Sequence, residues 1–154
     1  MSTAPRVFEG IAGIEAAIGE HVGYSSWMEV TQERVDAFAD ATGDHQWIHV
    51  DPVRAAEGPY GATIAHGYLT LSLVPLLGAE VMEIRGFGMM INYGLDKVRF
   101  PAAVPVGSRI RAGIELTSLQ RKSSWVQLNS LVTVEIDGSD RPALVAETVR
   151  LMVE

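Results

Sequence analysis

The stretch GYLTLSLVPLL, residues 67–77, decides the fold of this chain because it carries no charge on any face. A helix that is apolar all round has to be surrounded by the rest of the protein. Even with its apolar neighbours, residues 64–79, the run contains His66 and Pro75 and is shorter than the ~20 residues that cross a bilayer. It therefore predicts a core helix, distorted near the proline, and no membrane partner.

The hydrophobic pattern changes to a period of two after this helix. From Gly86 onward, alternating residues predict strands over residues 88–100, 109–119, 124–136 and 144–153. In the third strand one face is apolar and the other polar, which indicates a sheet with one face toward the core and one toward solvent. The apolar residues are Val126, Leu128, Val132, Val134 and Ile136, and the polar ones are Gln127, Asn129, Thr133 and Glu135.

The chain before the core helix predicts shorter elements. Apolar spacing predicts a helix within residues 8–19, and a weak alternation predicts a short strand within residues 24–30. Thr31 is the predicted N-cap of a helix that ends at Gly43, and Asp51 is the predicted cap of another short helix.

Short helices, one core helix and then several long antiparallel strands predict an α+β fold. The simplest way to bury such a helix is to curl the sheet around it, which is the hot-dog architecture. A length of 154 residues with 47% hydrophobic residues predicts a single domain over residues 1–154. Because one curled sheet leaves an edge and part of a face open, a homodimer is expected.

Composition and missing motifs exclude several classes of function. A net charge of -7 and a pI near 5.0 argue against a nucleic-acid partner. The absence of cysteine excludes disulfides, thiolate nucleophiles and cysteine-based zinc sites. The first residues, MSTAPRVFEG, do not have the pattern of a secretory signal, so a cytoplasmic location is expected. G-x-S-x-G, G-x-G-x-x-G and P-loop patterns are absent and Ser72 is expected to be buried, so neither a serine nucleophile nor a nucleotide cofactor is predicted.

Residues 41–73 concentrate the candidate chemistry. Asp44 and His49 can hold one water between a carboxylate and an imidazole, or else Asp44 binds loop amides and His49 packs in a turn. His66 and Gly67 stand at the start of the core helix, where a free amide can hold an anion or a polarised carbonyl oxygen. Gly67 either admits that oxygen or lets the helix pack tightly. His66 either contacts substrate or makes a structural hydrogen bond.

A metal cluster of Asp44, His45, His49 and Asp51 is the other use of these residues, since carboxylates and imidazoles bind zinc or iron. The H-x3-H spacing suits a metal only on a continuous helix. Because Gly43 and Asp51 predict a loop here, no metal is expected.

Two motifs resemble a known family. ATGDHQWIHVD, residues 41–51, followed by IAHG, residues 64–67, resembles the hydratase motif of the MaoC-like dehydratases, the (R)-specific enoyl-CoA hydratases. The segments NYG, VRFP and VG, which begin at Asn92, Val98 and Val106, resemble later strands of single-domain mycobacterial and actinobacterial members. Gln46-Trp47 stands where the family pattern has Asn-Pro, but the spacing from aspartate to histidine is kept.

The resemblance implies an (R)-specific enoyl-CoA hydratase without a cofactor. Asp44 and His49 would act on one water, and the Gly67 amide would bind the thioester oxygen, with His66 beside it. The expected partner is an enoyl-CoA or enoyl-acyl-carrier-protein substrate. A hot-dog acyl-CoA thioesterase and a non-catalytic acyl-thioester-binding subunit are the alternatives, although retention of both Asp44 and His49 speaks against the second.

Overall fold

The computed structural model describes residues 4–153. Its elements are β1 (Arg6–Glu9), α1 (Gly10–Glu15), β2 (His21–Tyr24), β3 (Met28–Glu29), α2 (Gln32–Thr42), α3 (Trp47–Val50), α4 (Pro52–Ala56), α5 (Gly67–Ser72), α6 (Val74–Val81), β4 (Met82–Arg85), β5 (Met89–Arg99), β6 (Arg109–Arg121), β7 (Val126–Ile136) and β8 (Leu144–Val153). Residues 1–3 and 154, which the predicted domain also includes, lie outside the described residues. No helix in the described range is long and apolar enough to cross a membrane.

A six-stranded antiparallel sheet runs in the order β2-β6-β7-β8-β5, and β3 also pairs with β6. β1 and β4 form a separate parallel pair. The four long strands β5 to β8 confirm the four predicted strands, within two residues at each end. β5 is an edge strand because β8 is its only partner among the described strands.

The alternation predicted for β7 is confirmed. The five predicted apolar residues are buried and the four predicted polar residues are half-buried on the opposite face; Ser130 is also buried and Leu131 half-buried. The buried face of the sheet packs against the helices, since α6 contacts β2 and β6 and α5 contacts β8. The predicted α+β hot-dog fold, a curled antiparallel sheet around a central helix, is therefore confirmed.

The central helix consists of two segments, α5 and α6, which meet at Leu73. Pro75, which has no amide hydrogen to donate, lies in the first turn of α6 and accounts for the break. The face toward the sheet is buried and comprises Leu69, Leu73, Leu77 and Val81. The expectation that the helix is enclosed on every side is wrong for the single chain: Tyr68 is 71% exposed and Leu76 is 50% exposed, because the sheet covers only one side.

The N-terminal elements differ from their prediction. Phe8 lies in β1 and pairs with Ile84, so the helix starts only at Gly10, whose φ of 62° suits the sharp change from strand to helix. The strand expected within residues 24–30 is two short strands, β2 and β3, and the first begins earlier, at His21. By contrast, the predicted caps of α2 are confirmed: the Thr31 hydroxyl accepts a hydrogen bond from the Arg34 amide, and Gly43 is left-handed.

Candidate active site

Backbone hydrogen bonds bring the two candidate motifs together. The Ile64 amide donates to the Ile48 carbonyl oxygen at 2.9 Å, so the segment before α5 lies along α3. His49 lies in α3, a single helical turn, so the loop predicted between Gly43 and Asp51 contains a short helix. This pairing places His49 next to the start of the central helix.

The His49 ring is buried and held by one hydrogen bond. Its Nδ1 lies 2.7 Å from the Ile64 carbonyl oxygen, and only a protonated nitrogen can donate to a carbonyl. The neutral ring therefore carries its proton on Nδ1, which leaves a lone pair on Nε2. An imidazole in this tautomer accepts a proton or a hydrogen bond at Nε2.

Asp44 follows the left-handed Gly43 at the end of α2 and is exposed. Its carboxylate accepts a long hydrogen bond, 3.4 Å, from the Gln46 amide. This weak contact leaves most of the carboxylate's hydrogen-bonding capacity available to a water or a ligand.

His66 connects Asp44 with His49. Its Nε2 lies 2.9 Å from the Asp44 carbonyl oxygen, so Nε2 carries the proton and donates it. The ring stacks on His49 with 3.8 Å between centroids. Its Nδ1 is buried without a hydrogen-bond partner in the part of the chain that the structure describes. The structural hydrogen bond expected as one alternative for His66 is thus present.

Asp44, His49 and His66 form a compact cluster. One ligand-type atom from each lies within 4.8 Å of the others, a set of a carboxylate and two imidazoles that suits a transition metal as well as a water. Of the four residues considered for a metal, His45 and Asp51 are not part of this cluster. His45 pairs with Asp40, and Asp51 accepts from the Arg54 amide at the start of α4.

The His45 side chain forms a surface pair with Asp40. Its Nε2 lies 2.8 Å from an Asp40 carboxylate oxygen, and this hydrogen bond raises the pKa of His45 above its usual value. The pair is on the surface and stabilises the end of α2 rather than the cluster.

Gly67 is the first residue of α5 and lies under the ring of Phe100. A Cβ placed on Gly67 would be 3.1 Å from that ring, so a side chain there requires the ring to move. Within the described residues no acceptor is found for the Gly67 amide. Gly67 and His49 line an open cleft of about 620 Å³, together with Tyr60, Ile64, Ala65, Thr70, residues 100–104, Arg141 and Ala143.

Gln32 holds this arrangement together and was not anticipated from the sequence. Its Nε2 donates to the His49 carbonyl oxygen at 2.7 Å, and its Oε1 accepts from the Thr63 hydroxyl at 2.6 Å. It thus joins the first turn of α2 to α3 and to the residue that precedes the second motif. No sequence pattern predicts such a contact for a glutamine that follows an N-cap.

Several residues lie elsewhere than expected. Ser72 is exposed, not buried, and its hydroxyl donates to the Tyr68 carbonyl oxygen at 2.6 Å. Trp47 packs against Arg54 and Gly58, so the Gln46-Trp47 departure from the family pattern lies on the side of α4.

A curled sheet around a helix, with an aspartate and a histidine beside the start of that helix, defines a hot-dog enzyme of the hydratase and dehydratase class. The chain belongs to the MaoC-like dehydratase family, because residues 14–137 match the MaoC like domain.

Individual relatives agree with this assignment. The chain is 55% identical over 145 residues to 3-hydroxyacyl-thioester dehydratase Z of Mycobacterium tuberculosis, which covers 94% of this chain and 96% of that protein. The (R)-hydratase from A. caviae involved in PHA biosynthesis is 26% identical, with a TM-score of 0.68 over 85% of this chain and 95% of that chain. The R-hydratase PhaJ1 from Pseudomonas aeruginosa shares the fold, with 21% identity and a TM-score of 0.73 over 89% of this chain and 82% of that chain.

Proposed function

We propose that the protein is an (R)-specific enoyl-CoA hydratase, which adds water reversibly to trans-2-enoyl thioesters and gives (R)-3-hydroxyacyl thioesters. The observation that carries this proposal is the His49 ring. Its Nδ1–H is committed to Ile64 and its Nε2 keeps a lone pair, in a cluster where one ligand-type atom each of Asp44, His49 and His66 lies within 4.8 Å of the others. The names of the M. tuberculosis dehydratase and the A. caviae hydratase support a thioester substrate and the (R) configuration.

In the hydration direction, Asp44 and His49 hold one water near C3 of the substrate. As the water oxygen bonds to C3, the pair takes one proton from the water and delivers one proton to C2, so the number of protons on the pair is unchanged. The two groups act as a coupled pair, so the roles belong to the pair. The hydroxyl ends on C3, the hydrogen on C2, and the thioester bond stays intact.

The Gly67 amide stabilises the thioester oxygen while enolate charge develops on it. The Gly67 N–H has no acceptor in the described chain, and because glycine has no side chain, the thioester can approach it below Phe100. His66 is a positioning residue in this scheme. Its Nε2–H donates to the Asp44 backbone and its Nδ1 is an acceptor, so in this tautomer neither nitrogen can donate to the thioester oxygen.

The experiment that tests the function follows both the double bond and the thioester. With crotonyl-CoA or a longer trans-2-enoyl-CoA, we expect the conjugated-enoyl absorbance to fall without release of free thiol, and chiral analysis to give the (R)-alcohol. Thiol release in step with substrate loss would instead establish a thioesterase. No change with any chain length, and none with acyl-carrier-protein thioesters, would favour a non-catalytic acyl-thioester-binding subunit.

We also propose a homodimer. All residues of β5 except Gly94 and Val98 are exposed, although the strand is rich in large apolar side chains. Tyr93 is 67% exposed and Ile91 is 41% exposed, and the open face of the central helix adds Tyr68. A long apolar edge strand without a partner favours association with a second copy.

Light scattering at micromolar concentration tests the dimer, and we expect twice the chain mass. Ile91→Lys on β5 should shift the protein toward monomer, whereas Thr117→Lys, on the exposed side of β6, should not. A wild-type protein that stays monomeric would contradict the proposal. The single domain over residues 1–154, the cytoplasmic location and the lack of a cofactor stay predictions from the sequence.

A further inference from the structure

A second cavity lies between the central helix and the inner face of the sheet, separate from the cleft over Gly67. Its volume is about 210 Å³. That is more than ten times the ~10–15 Å³ that one water requires, so the cavity is large enough for part of a ligand. Most of its lining is apolar, including Leu71, Val74, Leu95, Ile114, Val132 and Val149.

Two polar side chains stand together in this mainly apolar wall, which also contains the hydroxyl residues Ser72, Ser130 and Thr148. Arg150 of β8 and Asn92 of β5 are register partners, and residues directly opposite each other on antiparallel strands project from the same face. Both line the cavity. A guanidinium and a carboxamide side by side supply several N–H donors that match the two oxygens of a carboxylate.

Arg150 forms no ion pair in the described chain. Arg111 pairs with Glu135 and Arg121 with Glu15, but no ion pair or side-chain hydrogen bond of Arg150 is found among residues 4–153. The other arginines without an ion pair there are exposed, whereas Arg150 is partly buried; they are Arg34, Arg54, Arg99 and Arg141. Glu83, which lines the adjoining opening, pairs with Arg85. Partial burial lowers the pKa of Arg150, yet a guanidinium stays charged at neutral pH. A partly buried cation without a partner is unfavourable, and an anion bound beside it would offset that cost.

The cavity lies farther along the central helix than the cleft over Gly67, and Arg150 is part of its lining. Thr70 lines the cleft over Gly67, and the next residue, Leu71, lines the cavity. At the other end the cavity adjoins an opening with which it shares Pro75, Gly78, Met82, Asn92 and Arg150. Because Gly78 follows Gly67 by 11 residues, this end lies roughly 16 Å along the helical segment from Gly67.

We propose that the cavity receives the far part of the substrate acyl chain, and that Arg150 with Asn92 selects chains that end in a carboxylate. This inference rests on the proposed hydratase function and names its substrate class. The carboxylate fits better than a phosphate, since the phosphates of a thioester carrier lie at the opposite end from the acyl terminus and the cavity wall is mainly apolar.

The kinetic test compares two substrates of equal length, trans-2-dodecenoyl-CoA and its relative with a terminal carboxylate, trans-2-dodecenedioyl-CoA, whose extended chains of ~14 Å match the distance from Gly67 to the Arg150 end of the cavity. We expect the wild-type protein to prefer the carboxylated substrate in kcat/KM. Arg150→Met should lower kcat/KM for that substrate by about 10- to 100-fold, the usual effect of a lost hydrogen bond to a charged group, and should leave the plain substrate unchanged or improved. Arg150→Lys should keep part of the preference. Arg34→Met is the matched control, because Arg34 is exposed on α2.

A binding test separates this inference from the hydratase function. Calorimetric titration with the saturated pair dodecanoyl-CoA and dodecanedioyl-CoA needs no turnover, and we expect Arg150→Met to remove the preference for the carboxylated ligand. If neither enoyl substrate is hydrated but this preference is present and lost in the variant, the hydratase proposal fails and the binding inference stands. An equal affinity ratio in wild type and Arg150→Met would overturn the inference. So would a variant that only weakens the dimer, because Arg150 would then serve the subunit interface.

Discussion

The sharpest test of the proposed chemistry is a double-mutant cycle on Asp44 and His49. Asp44→Asn and His49→Gln remove the groups that exchange protons while keeping similar size and polarity. A positioned acid or base typically contributes ~10²–10⁴-fold, so we expect each single variant to lose about that much in kcat. If the two groups acted independently, the double variant would lose ~10⁴–10⁸-fold in kcat, the product of the two single losses. Because the ligand atoms of the two residues lie within 4.8 Å and act on one water, the double variant should fall little below the worse single one.

The structure also sets the expected effect on stability. Asp44 is exposed, and an asparagine keeps an oxygen for the Gln46 amide, so the free energy of unfolding should change by less than ~0.5 kcal/mol. His49 is buried, and loss of its hydrogen bond to the Ile64 carbonyl oxygen costs about 1–3 kcal/mol unless the glutamine amide replaces it. His45→Gln is the control, since the His45 ring bonds to Asp40 at the surface and is not part of the cluster, and it should keep near-normal activity.

The assay is the loss of enoyl absorbance with crotonyl-CoA, with circular dichroism and thermal melting on each variant. Either single variant with near-normal activity and an unchanged spectrum would refute the assignment of Asp44 and His49. Strictly multiplicative losses in the double variant would show that the two groups do not share one water.

The remaining predictions concern the surroundings of the cluster. Gly67→Ala should lower kcat/KM at least about tenfold, since its Cβ would lie 3.1 Å from the Phe100 ring, and Phe100→Leu in the same protein should restore part of the loss in steady-state assays. Gln32→Leu removes the hydrogen bonds to the His49 and Thr63 segments, so kcat should fall more than KM changes. Because the pKa of His45 is raised, its ion pair with Asp40 is fully formed at pH values below the ordinary histidine pKa of about 6.5, and it is lost as the pH rises through the raised pKa. Asp40→Asn should lower the pKa of His45, which an NMR titration can measure. Since the proposed steps need only protein groups, dialysis against a strong chelator should leave activity unchanged, and a loss that zinc reverses would show that the cluster binds a metal.

The long strands were predictable because their signal is local. In β7, alternate residues are buried, and the pattern of the sequence states which ones without reference to any partner. The ends of α2 were predictable for the same reason, since a threonine cap and a left-handed glycine act within one turn. The short N-terminal elements were misplaced because β1 exists only through its pairing with β4, about 75 residues later.

The sequence by itself determined the hot-dog fold class and the two motifs that carry Asp44, His49, His66 and Gly67. The periodicity of the apolar residues and the spacing of the motif residues are local features of the chain. Only the tertiary structure decided which atoms of those residues are available. The proton positions in His49 and His66 follow from carbonyl oxygens 15 and 22 residues away. Arg150 lacks an ion pair because of the side chains that β5, β7 and β8 bring close to it. Contacts between residues distant in the chain depend on how the sheet closes over the helix, and no local pattern encodes them.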